Sequence, residues 1–444
     1  MTYYMEIIFG KWVQSPEQRE KIGPRPVKWR ADEVINGHIL LAGASGTGKT
    51  HNIREIIAQL IQSTSHDLRF HVFDVHDDID IAGASEVFFS ESSDVGLNPL
   101  VIDDNPHSGG VRKGIQNFIG TLNKTSRKIG DRQEAVLRAV LEDLYSANGF
   151  YINKPESWSL HDGVKRKYAK KFPNMDDLHR WTYFKYKQMF MGGNNRSAGA
   201  LDRINKEAQK IQRLMKGNND AEINEKLPDL KDKAIDAYSE YITSIKSGRE
   251  LEELLKFDSK TTLKSVLDRI DNLRNSGVFC NQHPDFDPNA SVWRYRLKSL
   301  STDEKKMFVL FRLKELYDQA LRRGPRDKIT EFIVIDEANM FMDSDPDNII
   351  NILANEIRKF GVALMCASQS FTHFTDDFMA SAATKIILGI DELFWDKTAR
   401  QLQINKKMLE WITPRRSALI QLKRNVALND PTAKVKWFYT ALGN

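Results

Sequence analysis

Cysteine is scarce. Only Cys280 and Cys366 occur in 444 residues, far apart, which excludes a disulfide framework and leaves no cysteine pair to hold zinc. No run approaches the ~20 consecutive apolar residues that a membrane-spanning helix needs, so no direct membrane insertion is expected. Met1 to Gly10 carry a short apolar patch without a basic n-region or a small-residue cleavage site, so a secretory signal is not expected and the cytoplasm is the expected compartment. Neither sign of charge dominates: 65 Lys and Arg against 60 Asp and Glu give +5, too mild a surplus to argue by itself for nucleic acid. Internal repeats and low-complexity tracts are also missing. What is present is a composition 41% hydrophobic and 28% charged, in a chain long enough to bury one large core and a second smaller one.

The segment His38 to Ala42 reads as a buried strand running directly into Gly43-Ala-Ser-Gly-Thr-Gly-Lys-Thr50. A helix follows, because Ile53, Ile56, Ile57, Leu60 and Ile61 recur at helical spacing and make one apolar face. A second strand, Phe70 to Phe73, ends in Asp74-Val-His76-Asp77-Asp78, which places acidic groups at the carboxyl edge of a sheet, where α/β proteins bind ligands. Near-continuous apolar runs at Phe332–Ile335, Val362–Ala367, Lys385–Leu388 and Ala418–Leu422 read as further buried parallel strands. Between 101 and 325 the alternation stops. That stretch reads as mostly helical, with one helix from a capping-box-like Asp131-Arg-Gln-Glu134 through Val136, Leu137, Val140, Leu141 and Leu144 to Gly149, and a later stripe of Leu263, Leu267, Ile270 and Leu273. The expectation is an α/β protein with a mostly parallel sheet, its core divided into residues 1–100 and 326–444 around a helical insertion of 101–325, the charge-rich helices at 221–275 forming an arm or lid.

The loop spacing G-x-x-x-x-G-K-T has a chemical reason. Glycines let successive backbone N–H groups curl around phosphate oxygens, the lysine reaches the β- and γ-phosphates, and the threonine hydroxyl ligates Mg²⁺. Gly43, Ala44, Ser45, Gly46, Thr47, Gly48, Lys49, Thr50 and the adjacent His51 are therefore the expected ATP-binding residues, and Thr50 with Asp336 the expected Mg²⁺ ligands. Hydrolysis needs a second strand ending in carboxylates, and Phe332-Ile-Val-Ile-Asp336-Glu337 supplies one, with Glu337 placed to orient or deprotonate the attacking water. Gln369, just after the Val362–Ala367 strand, is a candidate γ-phosphate sensor. For Arg358, beside the apolar face of Ile349, Ile350, Leu353 and Ile357, two readings stay open from the residues alone: a solvated helix arginine, or one that reaches the ATP of a neighbouring copy. Basic residues interleave with aromatics at Lys165–Phe172 and Arg180–Lys187, a pattern that suits DNA backbone contact and stacking but equally a charged helix face. Other P-loop classes fit less well: Asn123-Lys-Thr-Ser126 is not the N-K-x-D base-reading motif of a GTPase, L-S-G-G is absent, and no small-molecule-kinase lid follows.

Taken together these segments resemble the HerA/FtsK superfamily of DNA-pumping ATPases, and especially its HerA, conjugative secretion ATPase and coupling-protein branches. The resemblance rests on His38–Thr50, Asp74-Val-His76 with Gly96-Leu-Asn-Pro-Leu100, Val334–Ala338, and Glu356-Ile-Arg358-Lys-Phe-Gly361 followed by Ala367-Ser-Gln369. It implies a RecA-like core, a homo-oligomer that is usually a hexamer, ATP at subunit interfaces with Arg358 acting in trans beside Glu337 and Gln369, and DNA in a central channel. It also implies two alternatives to duplex DNA translocation: an ATP-gated ring controlling a nuclease or other effector in antiviral defence, or a conjugation or secretion motor. The 42 residues before the loop are fewer than the β-barrel of HerA proper needs, and membrane helices like those of coupling proteins are not expected.

Overall fold

The apolar runs separated by more than two hundred residues in sequence assemble into one sheet. The structure, a computed structural model, describes residues 5–13, 25–64, 67–107, 109–125, 128–161, 163, 169–191, 196–216, 220–244, 256–257, 259–425 and 435–442. Its strands are β1 (Glu6–Val13), β2 (Arg25–Arg30), β3 (Ile39–Ala42), β4 (Arg69–Asp74), β5 (Ser85–Phe88), β6 (Val292–Arg296), β7 (Arg326–Ile335), β8 (Phe360–Ser368), β9 (Thr384–Ile387), β10 (Ser417–Lys423) and β11 (Val435–Leu442). They lie in the order β2-β1-β11-β10-β9-β3-β8-β7-β4-β6-β5. From β9 through β5 every pairing is parallel, and β10, β11, β1 and β2 extend the sheet antiparallel, so the run Ala418–Leu422, expected as a parallel strand, is buried but antiparallel to both its neighbours. The fold class is thus the α/β, mostly parallel sheet that the buried runs imply, with all four residues of β3 and β9 buried.

Two compact units make up the chain, Met1–Leu97 with Gln282–Asn444, and Asn98–Asn281. In the first, helix α1 (Lys49–Ser63) buries Ile53, Ile56, Ile57 and Leu60, each worth about 1.5–3 kcal/mol when removed from water. They join Ile39 and Leu41 of β3 and Val334 of β7 in one core, so the helix that follows the glycine loop is clamped to the sheet.

In the second unit, α2 (Val111–Asn123), α3 (Asp131–Ala147), α4 (Met175–Met191), α5 (Arg196–Lys216), α6 (Asp220–Ser244) and α7 (Lys260–Asn275) make a helical body. The expected stripes are buried on α3 and α7. The helix start differs in detail: Gly130, not Asp131, is the N-cap, and Gln133 Oε1 accepts its N–H at 3.3 Å. Helices α5 and α6 pack on each other.

The helical unit ends well before residue 325. Strand β6 and helix α8 (Thr302–Arg323) belong to the first unit, where β6 pairs with both β4 and β5 and the ring of Phe308 on α8 packs tilted against Phe89 with centroids 4.5 Å apart. The sequence Val-Trp-Arg-Tyr-Arg does not read as a buried strand because its arginines are neutralised only by partners remote in sequence. Arg294, 3% exposed, donates to Asp74 Oδ2 through Nε at 2.9 Å and Nη2 at 2.8 Å.

Candidate active site

Gly48 caps α1 with φ +98, and Gly46 has φ +79, left-handed conformations that glycine adopts without a Cβ clash. A Cβ on Gly43 would sit 2.4 Å from Thr47 Oγ1, so that position also excludes other side chains. The loop opens onto a cleft of about 960 Å³, lined by Ala44, Ser45, Gly46, Gly48, Lys49, Thr50 and His51 from the loop and helix, His76 and Asp78 from the turn after β4, Asp336 and Glu337 from the end of β7, Gln369 from the end of β8, and Arg415. Ile8, Phe9 and Leu442 give it an apolar end. Two expected loop residues face elsewhere: Thr47 is buried with its hydroxyl on Ala44 O at 2.8 Å, and Gly43 offers its carbonyl to Lys49 Nζ at 2.8 Å.

Strand order explains the meeting of these groups. β8 lies between the loop strand β3 and β7, and all three run parallel, so their carboxyl ends deliver the loop, Asp336-Glu337 and Gln369 to one edge. Glu337 is 7% exposed and holds φ +47, a strained backbone for a non-glycine residue. Its carboxylate lies 3.7 Å from Lys49 Nζ and 3.5 Å from Gln369 Nε2. Gln369 is held from below: Ser368, wholly buried, bonds Asn339 Oδ1 at 3.2 Å and His373 Nδ1 at 2.8 Å.

Asp336 is 3% exposed, and its Oδ1 has no hydrogen-bond partner among the described residues. Burial, reinforced by Glu337 and Asp78 nearby, pushes its carboxyl up to about 6, the signature of a carboxylate that gains from a cation. Thr50 Oγ1 is in the same cleft and donates to Asp78 Oδ2 at 3.0 Å. Among the described residues no group of three or more His, Cys, Asp or Glu could hold a metal alone. Mg²⁺ at a nucleotide site needs no such cage: it takes one or two protein oxygens, phosphate oxygens and water. The donor set of Thr50 and Asp336 fits it.

Asp78 was not singled out among the acidic run after β4, and the structure sorts that run. Asp74, wholly buried, turns inward and accepts the N–H groups of Asp77 at 2.7 Å, Asp78 at 3.3 Å and Ile79 at 2.9 Å, as well as Arg294. Asp77, held below the usual carboxylate range by its bond to Arg296, completes a scaffold that presents His76 and Asp78 to the cleft. Arg415 was missed as well, and nothing in its sequence context marks it. Arg358 is not in this cleft. It lies in the turn Ile357–Lys359 before β8, while Gln369 follows the strand's far end. Nine residues of strand, roughly 30 Å at ~3.3 Å each, separate the two ends.

Of the basic and aromatic segments, Lys165, Arg166, Lys167 and Tyr168 lie outside the described residues. Of the others, Lys170 bonds the carbonyls of Ser157 and Ser159, Arg180 pairs with Asp177, Lys185 is buried beside Asp143, and Lys187 sits over Tyr183 at 4.7 Å, while Lys171, Tyr183 and Phe184 are exposed.

A glycine loop between a buried parallel strand and a clamped helix, faced across one intervening strand by a carboxylate-ended partner, defines a P-loop NTPase fold. Among solved structures the chain is similar to VirB4 of Thermoanaerobacter pseudethanolicus, with a TM-score of 0.60 at 13% identity over 99% of this chain and 96% of that one. It is also similar to the plasmid coupling protein TrwB in complex with ADP and Mg²⁺, with a TM-score of 0.49 at 13% identity over 99% and 96% of the two chains. No protein-family model and no curated protein matches the sequence. In fold, the chain is a P-loop NTPase of the kind seen in VirB4.

Proposed function

We propose that the chain is a Mg²⁺-dependent ATP hydrolase that works as a homo-oligomeric, ring-type motor on duplex DNA, with Arg358 of one copy completing the site of the next. The observation that carries the hydrolase is Glu337, buried and aimed between Lys49 and Gln369 at the mouth of the glycine loop. In this reading the loop amides and Lys49 hold the phosphates, Glu337 takes a proton from the attacking water, and Gln369 reports the γ-phosphate to Ser368 and β8. Thr50 and Asp336 would hold Mg²⁺, whose charge offsets that of the β- and γ-oxygens. The position of Arg358 supports the oligomer, because a side chain at the amino edge of the sheet cannot reach a cleft at the carboxyl edge of the same copy. The hexamer and the DNA rest on the motif resemblance. A conjugation or secretion motor is the second reading, favoured by the fold shared with VirB4.

The test is ATP turnover with and without duplex DNA at several salt concentrations, with Glu337→Gln as control. Stimulation by DNA that weakens with salt and vanishes in the variant supports the translocase. Turnover indifferent to DNA shifts the reading to the secretion motor, and a wild-type protein without turnover refutes the hydrolase.

A further inference from the structure

The tight turn before β10 has no role in the reading above, yet it lies against the glycine loop. Arg416 N and Ser417 N both bond back to Thr413 O, at 3.0 and 2.9 Å. Pro414 Cγ comes within 3.4 Å of where a Cβ on Gly389 would lie, and Gly389 O accepts the N–H of Ala44 at 2.7 Å. Arg415, at the tip, has φ +64, a left-handed backbone unusual for a non-glycine residue. Its side chain lines the cleft and donates from Nε to Gly46 O at 2.8 Å. Nη2 stands 3.9 Å from where a Cβ on Gly46 would be, and Cγ 3.8 Å from the same point on Gly48. No carboxylate pairs with it and no other hydrogen bond is made to it among the described residues. An arginine has five N–H donors in a planar fork. With Nε committed to the loop, its two terminal nitrogens make no other hydrogen bond among the described residues, on a side chain that lines the cleft.

We infer that Arg415 contacts the phosphates of the bound nucleotide from the same copy, as a cationic clamp over the glycine loop complementary to Lys49. This rests on the nucleotide site proposed above. The carbonyl of Gly46 fixes the guanidinium before nucleotide arrives, so little side-chain freedom is lost on binding, and the strained backbone holds the side chain over the loop.

The experiment is calorimetric titration of the 444-residue chain with Mg·ADP at two salt concentrations, for wild type, Lys49→Ala, Arg415→Gly and Arg415→Gln. Glycine adopts φ +64 freely and keeps the turn; glutamine keeps a polar side chain without charge. The expected result is binding about tenfold or more weaker in both Arg415 variants, with a shallower salt dependence than wild type, as for loss of a charge-assisted hydrogen bond. Unchanged affinity in Arg415→Gly overturns the inference. So does weakening confined to Arg415→Gly with the salt dependence kept in Arg415→Gln, which would make the side chain a tether for the loop. Wild type that binds no better than Lys49→Ala overturns the nucleotide site itself, and this inference with it.

Discussion

The carboxylates around the cleft look alike in sequence and are separated by their surroundings. Asp74 is neutralised by Arg294 and by three backbone N–H groups, so it shapes a turn and has little left to offer a ligand. Asp336 has the opposite balance, buried with one oxygen unsatisfied. Asp78 is exposed and bonded to Thr50, which suits an outer partner that orients the hydroxyl and a cation's bound water. Removing such an outer partner typically costs ten- to a hundredfold in metal affinity or activity. Asp78→Asn is therefore expected to raise the Mg²⁺ concentration that half-saturates ATP turnover by about tenfold, with nucleotide binding in EDTA unaffected. A magnesium dependence equal to wild type would show that Asp78 serves only to hold the turn.

At the level of the element, the β9–β10 pair carries a testable electrostatic cost. Lys385 on β9 is 3% exposed and donates to Ala382 O at 3.2 Å and Gln421 Oε1 of β10 at 2.8 Å. Burial, with Lys423 close by, lowers its amine to about 7 from 10.5. The unfolded chain keeps that proton up to its ordinary pKa, so between pH 7 and 10.5 the unfolded state binds more protons and the contribution of Lys385 to stability climbs with pH, by at most ~1.4 kcal/mol per unit. Below pH 7 both states are charged and the burial cost is present in full. Lys385→Met is expected to be the more stable protein near pH 6 in denaturant titrations, its advantage shrinking as pH rises to 9; parallel pH profiles would refute the assignment. The same strands show what was legible in sequence. β3, β4, β7, β8, β9 and β10 announce themselves because they are largely buried and mainly apolar, although the direction of β10, antiparallel to both neighbours, is not legible from such a run. β6 does not, since Arg294 and Arg296 are paid for by Asp74, Asp77 and Glu86, which no local pattern reveals. β1, β2 and β11, antiparallel like β10, lack that run. Glycine and carboxylate positions of the site were legible because their backbone geometry and chemistry demand those residues at that spacing. Arg415 was not, because its importance comes from a turn that only tertiary packing brings to the loop.

For the whole molecule, the distance between Arg358 and the cleft makes a prediction that no single copy can satisfy. Arg358→Ala and Glu337→Gln are each expected to lose ATP turnover by about a hundredfold or more. Mixing the two after dissociation and reassembly should restore a measurable fraction, because some interfaces then join an intact cleft to an intact arginine. Mixtures as inactive as their parents would place the arginine outside the site. The manner in which the chain leaves the sheet and returns to it has a different consequence. Gly96 N bonds Gln282 O at 2.8 Å, and one residue pair further on Asn98 Nδ2 bonds Asn281 Oδ1 at 2.8 Å. The whole of Asn98–Asn281 is thus a loop with its two ends already closed, and a closed loop of any length can be exchanged for a short one at little entropic cost. A chain in which a few Gly and Ser residues join Leu97 to Gln282 should still bind Mg·ADP by calorimetry, and failure to fold would show that the core depends on the inserted residues. The helical unit is in this sense a cassette, free to be lost, replaced or enlarged over time without rebuilding the sheet it interrupts in sequence.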